Sequence, residues 1–420
     1  MDAQTLQNGT HFETIVIGAG QAGLAASRCL AEVGIDHVVL ERGQIGERWR
    51  SERWDSLTMQ TPRWQSRLPG WNYAGPDPHG YMAMPELIAY LESYAGSFAA
   101  PIHAGVTVQR VSPRGDGYQV DTDASSWSAR SVIVATGHCD VPRLPAWAAQ
   151  LPPDVHALAA TRYRRPDALP AGGVLVVGAS ASGVQIADEL RAAGREVTLA
   201  VGGHTRLPRR HLGRDIMWWL DAMGVLDETT ELVSDLEAAR RQPSMQLLGD
   251  PSGREVDRAT LSRRGVRLAG PSLGVTAGEV PYAPDLAHTT GEADARAARI
   301  IERIDRFAAE RSIPVLGPRA EVAPVATPGA PARVSFSDER IRTVIWAAGF
   351  VRTYPWLDVA SVVERGEIRH VGGITAAPGL YALGLRFQRR RNSSFLDGVG
   401  ADAREIVGHI ASRLGHRAAA

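Results

Sequence analysis

Two glycine-rich stretches that begin 160 residues apart hold the residues best suited to chemistry. They read Gly18-Ala19-Gly20-Gln21-Ala22-Gly23 and Gly178-Ala179-Ser180-Ala181-Ser182-Gly183. In such a GxGxxG pattern the first glycine makes a tight turn, the second lets the backbone approach a pyrophosphate, and the third allows a helix to pack closely on a strand. The pyrophosphate then lies at the helix N-terminus, where free N–H groups point outward. Both stretches therefore predict dinucleotide-binding sites.

The residues around each stretch predict the elements that position it. In the first copy, the strand Ile15-Val16-Ile17 precedes the glycines, and an apolar helical stretch and the strand Val38-Val39-Leu40 follow them. The second copy repeats this order between 174 and 201. One GxGxxG motif is weak evidence, but two copies in the same strand-to-helix context are specific. The sequence therefore predicts an α/β fold with two Rossmann-like dinucleotide-binding domains.

The two copies differ at the position that discriminates between nucleotides. Glu41 ends the second strand of the first copy, where a carboxylate accepts hydrogen bonds from a ribose 2′-OH, as in FAD or NAD. The matching residue of the second copy is Val201, and arginines follow it at 206, 209 and 210. Guanidinium groups suit a 2′-phosphate, so this copy predicts an NADPH site with Arg206 and Arg209 as ligands. A solvated basic loop is the alternative for these arginines.

Turn-forming residues divide the chain into three predicted segments. Residues 1–150 form the first part of an FAD-binding domain, and residues 151–330 form an NADP-binding domain with a helical insertion at about 211–265. Residues 331–420 return to the FAD-binding domain and end in a helix, so the second domain is inserted into the first. We expect the insertion to cover a pocket, although a plain helix packed on the sheet fits its apolar spacing equally well.

Composition excludes several classes of protein. All 46 basic residues are arginine, which removes mechanisms that need a lysine Schiff base or a P-loop lysine. The 46 acidic residues balance them, so no global field attracts nucleic acid or an anionic membrane. Cys29 and Cys139 form neither a disulfide framework nor a CxxC centre, and the 12 histidines show no zinc-ligand spacing. Without a signal peptide or a spanning apolar run, we expect a soluble, cytoplasmic protein.

These motifs together resemble the flavin-containing monooxygenase superfamily, the single-component enzymes that carry FAD and use NADPH. The resemblance runs from the first glycine motif through Gly46-Glu47-Arg48-Trp49 and Ala135-Thr136-Gly137 to the second nucleotide unit and Gly384. It implies that FAD contacts a set of residues outside the glycine motif, namely Arg48, Trp49, Val108, Thr136, Gly137 and Gly384.

The resemblance also implies an activity. In this superfamily NADPH reduces the flavin, which captures O₂ as a C4a-hydroperoxide and inserts one oxygen atom into a small organic substrate. The oxygen is inserted at a nitrogen, at a sulfur or beside a ketone. The expected partners are therefore a small molecule and O₂, and the sequence assigns no catalytic residue and no metal site.

One sequence motif of the superfamily is incomplete in this chain. The family has Phe, Gly, His and then Tyr-Arg or Trp at fixed steps just before the second nucleotide unit, whereas here His156 and Tyr163-Arg164 stand at the wrong spacing, without the Phe or Gly. The resemblance places Tyr163 and Arg164 on NADP. Two alternatives to a monooxygenase stay open: a flavin oxidase or dehydrogenase on the same scaffold, and a non-catalytic flavin redox sensor.

Overall fold

The computed structural model describes residues 10–322 and 329–416. Residues 1–9, 323–328 and 417–420, which belong to the predicted domain segments, lie outside the described residues. The strands of the two large sheets are, in chain order, β1 (Thr10–Ile17), β2 (His37–Glu41), β3 (Ile102–Ala104), β4 (Val108–Arg114), β5 (Gly117–Thr122), β6 (Ser126–Val134), β7 (His156–Ala159), β8 (Gly173–Val177), β9 (Val197–Ala200), β10 (Arg267–Ala269), β11 (Ile341–Trp346) and β12 (Leu380–Ala382).

The helices connect these strands and cover their faces. In chain order they are α1 (Gln21–Glu32), α2 (Glu47–Ser51), α3 (Met84–Ser97), α4 (Ala181–Ala192), α5 (Ile216–Ala222), α6 (Leu236–Arg241), α7 (Arg258–Arg263), α8 (Leu286–Glu310) and α9 (Val399–Leu414). Short 3₁₀ turns occupy Arg63–Gln65, Ala146–Gln150, Pro166–Ala168 and Thr230–Leu232. Small two-stranded pairings join Arg67–Leu68 with Trp71–Asn72, Val141–Pro142 with Phe350–Val351, Thr205–Arg206 with Met245–Gln246, Arg210–His211 with Arg214–Asp215, Glu279–Pro281 with Arg333–Ser335, and Val363–Glu364 with Glu367–Ile368.

The first sheet has seven strands built around β1, in the order β3-β2-β1-β6-β5-β4. Its centre is parallel, with Ile17 of β1 opposite Leu40 of β2 and Val134 of β6. Strands β4, β5 and β6 form an antiparallel meander, and β12 pairs parallel with β6. The final strand of the chain therefore returns to the first sheet, as the sequence predicts.

The second sheet repeats the parallel core of the first. Its order is β7-β11-β8-β9-β10, and every pairing is parallel. Strand β8 takes the place of β1, β9 that of β2, and β11 that of β6. The prediction of an α/β fold with two Rossmann-like units, the second inserted into the first, is therefore confirmed.

The predicted boundary at residue 331 does not match the strand pairing. Glu279–Pro281 pairs with Arg333–Ser335, and β11 lies between β7 and β8 in the second sheet. The segment 331–346 thus belongs to the second unit rather than to the returning one. Its Thr343 to Trp346 stretch pairs with β8 residue for residue, and that register holds it in the second sheet.

The helices of the predicted insertion have different packing partners. Ile216 and Trp219 of α5 share a buried cluster with Ile301 and Ile304 of α8. Helix α7 packs on α4 and β10 instead, so it covers the second sheet. The 25-residue α8 was not predicted, although its buried residues Ala293, Ala297, Ile301, Ile304 and Ala308 recur at helical spacing.

The third glycine of each motif permits a very close approach between helix and turn. A Cβ at Gly23 would lie 1.8 Å from the carbonyl oxygen of Gly18, and a Cβ at Gly183 would lie 1.8 Å from that of Gly178. Since both clashing atoms are backbone, rotation of a side chain cannot relieve them. Because both copies have this close approach, the N-terminus of α1 lies just beyond the end of β1, and that of α4 lies just beyond the end of β8.

We predict that Gly23→Ala destabilises the protein by about 1–3 kcal/mol or more, because the added methyl forces the strand-to-helix turn apart. The matched control is Gly96→Ala in α3, where a Cβ would meet nothing within 4 Å. That change should alter the free energy of unfolding by about 1 kcal/mol or less. Urea denaturation followed by circular dichroism measures both. Equal losses in the two variants would contradict the account.

Candidate functional site

Both glycine turns open on one cavity of about 1700 Å³ that extends from the first unit to the second. The predicted site residues that line this cavity are Gly18, Gly20, Glu41, Arg48, Trp49, Val108, Thr136, Gly137, Gly384, Gly178, Ser180 and Arg206. Gly23 and Gly183 lie behind the turns, in the packing role predicted for a third glycine. The structure therefore brings the two predicted nucleotide sites together.

The first turn leaves room for a ligand beside the N-terminus of α1. Gly20 is the residue before the helix, and a Cβ built on it would meet nothing within 4 Å. At Gly18 φ is +106°, and a Cβ there would lie 2.7 Å from the carbonyl oxygen of Ala135. The turn thus needs glycine at 18 for its own shape, whereas glycine at 20 keeps the approach to the helix open.

The Glu41 carboxylate is fixed at the end of β2, as predicted. The residue is 7% exposed, and its two oxygens accept hydrogen bonds from the backbone N–H groups of Ala19 at 2.7 Å and Gly43 at 2.9 Å. Both donors are backbone N–H groups, and together they fix the carboxylate beside the glycine turn. At the corresponding position of the second unit, Val201 is buried and carries no such group.

Arg48 and Trp49 lie along the cavity in a network with neighbouring loops. Arg48 forms ion pairs with Asp140 and with Glu52, the latter at 3.3 Å. The indole N–H of Trp49 donates to the side-chain oxygen of Gln21 at 3.2 Å, and the guanidinium of Arg53 lies 5.0 Å from the centre of its ring. These contacts join α2 to the N-terminus of α1 and to the loop after β6.

Tyr163 and Arg164 do not line the cavity. Tyr163 is fully buried, and its hydroxyl donates to Glu189 of α4 at 3.0 Å. The guanidinium of Arg164 donates to the carbonyl oxygens of Arg53 at 2.9 Å and Thr161 at 3.0 Å. The prediction that these two side chains contact NADP is therefore not supported, because their polar groups hold the linker against the protein instead.

Arg209 is likewise held by other groups of the protein. It is 1% exposed, does not line the cavity, and forms an ion pair with Asp215. Asp215 in turn caps α5 by accepting from the N–H of Met217 at 2.7 Å, and the hydroxyl of Tyr81 donates to it at 2.6 Å. Arg209 is thus part of a buried network that holds the start of α5.

Arg206 does line the cavity, but carboxylates neutralise its charge. It pairs with Asp257 at 2.6 Å and with Asp294 of α8 at 2.8 Å, and only 7% of its side chain is exposed. Arg258, which is fully buried, reaches the same Asp294 at 3.3 Å. Two guanidinium groups and two carboxylates therefore form a compact neutral cluster beneath the loop that follows β9.

Sequence reasoning missed several groups that face the cavity. His138 follows the Ala135-Thr136-Gly137 motif directly, and burial together with Arg386, Arg352 and Arg53 lowers its pKa to about 3. This histidine is therefore uncharged at neutral pH. Its position just after the motif was the available signal.

The insertion closes one side of the cavity. Leu220 and Leu226, together with residues 239–245, form part of the wall, so the insertion covers the pocket as predicted. Arg296, Arg299 and Arg303 of the unpredicted helix α8 line it as well. In the part of the chain that the structure describes, no helix has the length and apolarity needed to cross a membrane.

We predict that Arg206→Ala lowers the free energy of unfolding by about 3–5 kcal/mol, because it leaves buried carboxylates without their partner. Arg319→Ala is the matched control, since Arg319 pairs with Asp305 at 2.8 Å but its side chain is 54% exposed. An exposed pair contributes about 1 kcal/mol or less. Chemical denaturation of both variants checks the difference. A loss for Arg206→Ala no larger than for the control would be inconsistent with a buried neutral cluster.

His204 should make stability depend on pH. Burial, with Arg258 nearby, lowers its pKa from 6.5 to about 4, and Nδ1 donates to the carbonyl oxygen of Gly202 at 2.9 Å. Between these two pKa values the unfolded chain binds a proton that the folded chain does not. This residue's contribution to stability is therefore complete above about pH 6.5 and is lost as the pH falls, by up to about 1.4 kcal/mol per pH unit.

We therefore predict that His204→Gln reduces the loss of stability between about pH 7 and about pH 5. The exposed His156 supplies the control, and His156→Gln should leave that difference unchanged. Urea denaturation at the two pH values gives the required free energies. If the His204→Gln variant lost as much stability between these pH values as the unchanged protein, protonation of His204 would not contribute to that loss.

Comparisons with known proteins agree with this architecture. A family model described as pyridine nucleotide-disulphide oxidoreductase matches residues 15–222. An uncharacterized CzcO-like oxidoreductase from Geobacillus kaustophilus is 32% identical over 401 residues, covering 95% of this chain and 98% of its own. The indole-3-pyruvate monooxygenase YUCCA1 from Oryza sativa subsp. japonica is 30% identical over 214 residues, 47% of this chain and 50% of that protein.

A solved structure resembles the whole chain. The flavin-containing monooxygenase from Stenotrophomonas maltophilia superposes with a TM-score of 0.66 at 22% identity, covering 96% of this chain and 99% of the other. Its two-unit fold is thus shared from end to end. The chain is therefore an oxidoreductase that belongs to the family of CzcO-like oxidoreductases, and it shares its fold with a flavin-containing monooxygenase.

Proposed function

We propose that this oxidoreductase is an FAD-dependent, NADPH-using monooxygenase of small organic molecules. The observation that carries the proposal is the single cavity onto which both glycine turns open. A flavin held by the first unit and a nicotinamide held by the second can meet only if no wall separates them. The overall reaction consumes NADPH, a proton, O₂ and the substrate; one oxygen atom enters the substrate and the other leaves in water.

The first unit has the groups that FAD requires. The N-terminus of α1 and the open space at Gly20 suit a pyrophosphate, and the Glu41 carboxylate suits ribose hydroxyl groups. Val108 lines the cavity at the far end of this unit, and Arg48 and Trp49 flank its wall. When bound, FAD would supply the redox chemistry, accepting a hydride and passing electrons to O₂.

The second unit suits a nicotinamide nucleotide. Its site differs from that of the first unit at the end that would hold the adenosine ribose. Ser180 precedes α4, and its side chain makes no capping hydrogen bond with the helix. Val201 replaces the carboxylate that would repel a 2′-phosphate, so this end favours NADPH over NADH. The description of the matched family as pyridine nucleotide-disulphide oxidoreductase supports a nicotinamide nucleotide here.

The protein's own residues orient the two nucleotides and exclude water. Buried Leu220 and Leu226 of the insertion close one side of the cavity. On the side where Gly384 lies, the lowered pKa of His138 leaves its imidazole uncharged. Burial raises the pKa of Cys139, so its thiol stays protonated, and Cys29 is enclosed in α1. Neither thiol is poised for exchange, which argues against the disulfide chemistry of related two-nucleotide enzymes.

The proposal predicts that FAD copurifies with the protein and that NADPH reduces it in the absence of air. When O₂ is then admitted with an oxidisable amine, sulfide or ketone, we expect less than one H₂O₂ released for each NADPH oxidised, because oxygen enters the substrate. Flavin absorbance and peroxide assays measure these quantities.

Each alternative has its own outcome. Stoichiometric H₂O₂ with every substrate class would indicate an oxidase and contradict oxygen insertion. A bound flavin that neither a nicotinamide nucleotide nor any tested substrate reduces would contradict both enzyme functions and would favour a redox sensor.

A further inference from the structure

The loop that should recognise the 2′-position of NADPH has no uncompensated cation of its own. This loop runs from Val201 to Arg206 after β9, and its two basic side chains are His204 and Arg206. The lowered pKa of His204 leaves it uncharged at neutral pH. Arg206 belongs to the neutral cluster with Asp257 and Asp294. A phosphate at this end of the cavity therefore needs positive charge from another element.

Helix α8 lies directly beside this loop. Asp294 of α8 accepts a hydrogen bond from Arg206 at 2.8 Å, and Arg296 donates to the carbonyl oxygen of His204 at 3.2 Å. Both contacts join the loop to a single turn of the helix. The buried pair between Arg206 and Asp294 thus fixes where the next turns of α8 lie relative to the adenosine end of the site.

Three arginines of α8 face the same cavity. Arg296, Arg299 and Arg303 are exposed, line it, and recur three and four residues apart, which places them on one side of the helix. Glu292 lies 3.8 Å from Arg296 and compensates it in part. Within residues 10–322 and 329–416, Arg299 and Arg303 make no hydrogen bond or ion pair, so their charge is available to a ligand.

We propose that Arg296 and Arg299 of α8 bind the 2′-phosphate of NADPH, and that Arg206 is a positioning residue that holds the helix in place. This inference rests on the proposed use of NADPH and replaces the predicted role of Arg206 and Arg209. Two guanidinium groups one turn apart can share a phosphate, which accepts charge-assisted hydrogen bonds from several directions. Arg303 lies about 10 Å further along the axis than Arg296, so it contributes less.

The decisive experiment measures binding of two probes to the FAD-loaded protein by calorimetry. Adenosine 2′,5′-bisphosphate carries the 2′-phosphate, and AMP lacks it. We expect Arg296→Ala and Arg299→Ala each to weaken binding of the bisphosphate about tenfold or more, the range for losing a hydrogen bond to a charged group. Binding of AMP should change less than about twofold, since it makes no contact with α8.

The control is Arg306→Ala, an exposed arginine of the same helix that does not line the cavity. It changes net charge by the same amount, so any general electrostatic effect appears there too. We expect its binding of both probes to match the unchanged protein. Kinetics add a second readout: in the α8 variants KM for NADPH should rise about tenfold while KM for NADH and kcat stay constant.

Three results would overturn the inference: equal weakening of both probes, an effect of Arg306→Ala as large as that of Arg299→Ala, or no preference of the unchanged protein for the bisphosphate. The proposed function fails separately, by the absence of flavin reduction with either NADPH or NADH. If the protein used NADPH and NADH equally well, the proposed monooxygenase function would stand. The inference that Arg296 and Arg299 bind the 2′-phosphate would then be wrong.

Discussion

The contact between Gly23 and the carbonyl oxygen of Gly18, repeated between Gly183 and Gly178, is the constraint on which the rest of the structure depends. It allows α1 and α4 to follow their strands after a turn of only three residues, so that both helix N-termini reach the edge of a parallel sheet. Because β11 and β6 pack against the two turns in the same way, each unit presents the same open end. The shared cavity follows from the second unit being inserted into the first.

Charge compensation decides which arginines can act on a ligand. With 46 arginines and 46 acidic residues, this chain has enough carboxylates to pair most of its cations. Arg206 and Arg209 are paired and buried, so they stabilise the second unit and the start of α5. Exposed arginines that line a cavity with at most a distant, exposed carboxylate beside them are the ones left for an anion. In this respect α8 differs from the loop it packs against.

Much of the fold was predictable because its signals are local. The glycine motifs, the strands around them and Glu41 at the end of β2 depend on short-range steric and hydrogen-bonding rules, and the structure has them where the sequence predicts them. Helix α8 was missed although Ala293, Ala297, Ile301 and Ile304 recur on one face at helical spacing, because three of its seven buried residues are alanines, which are only weakly apolar. Tyr163, Arg164 and Arg209 have protein partners and do not line the cavity, which could not be predicted because spacing along the chain does not reveal whether a side chain is already paired. The boundary at 331 failed for a related reason, since strand pairing is a long-range property.

A crystal structure of the protein with FAD and NADP⁺ tests the central claim most directly. We expect FAD against Gly20 and Glu41 of the first unit, NADP⁺ against Ser180 of the second, and the two redox rings facing each other in one cavity. The account would be contradicted if the nicotinamide nucleotide bound outside this cavity, or if protein separated its ring from the flavin.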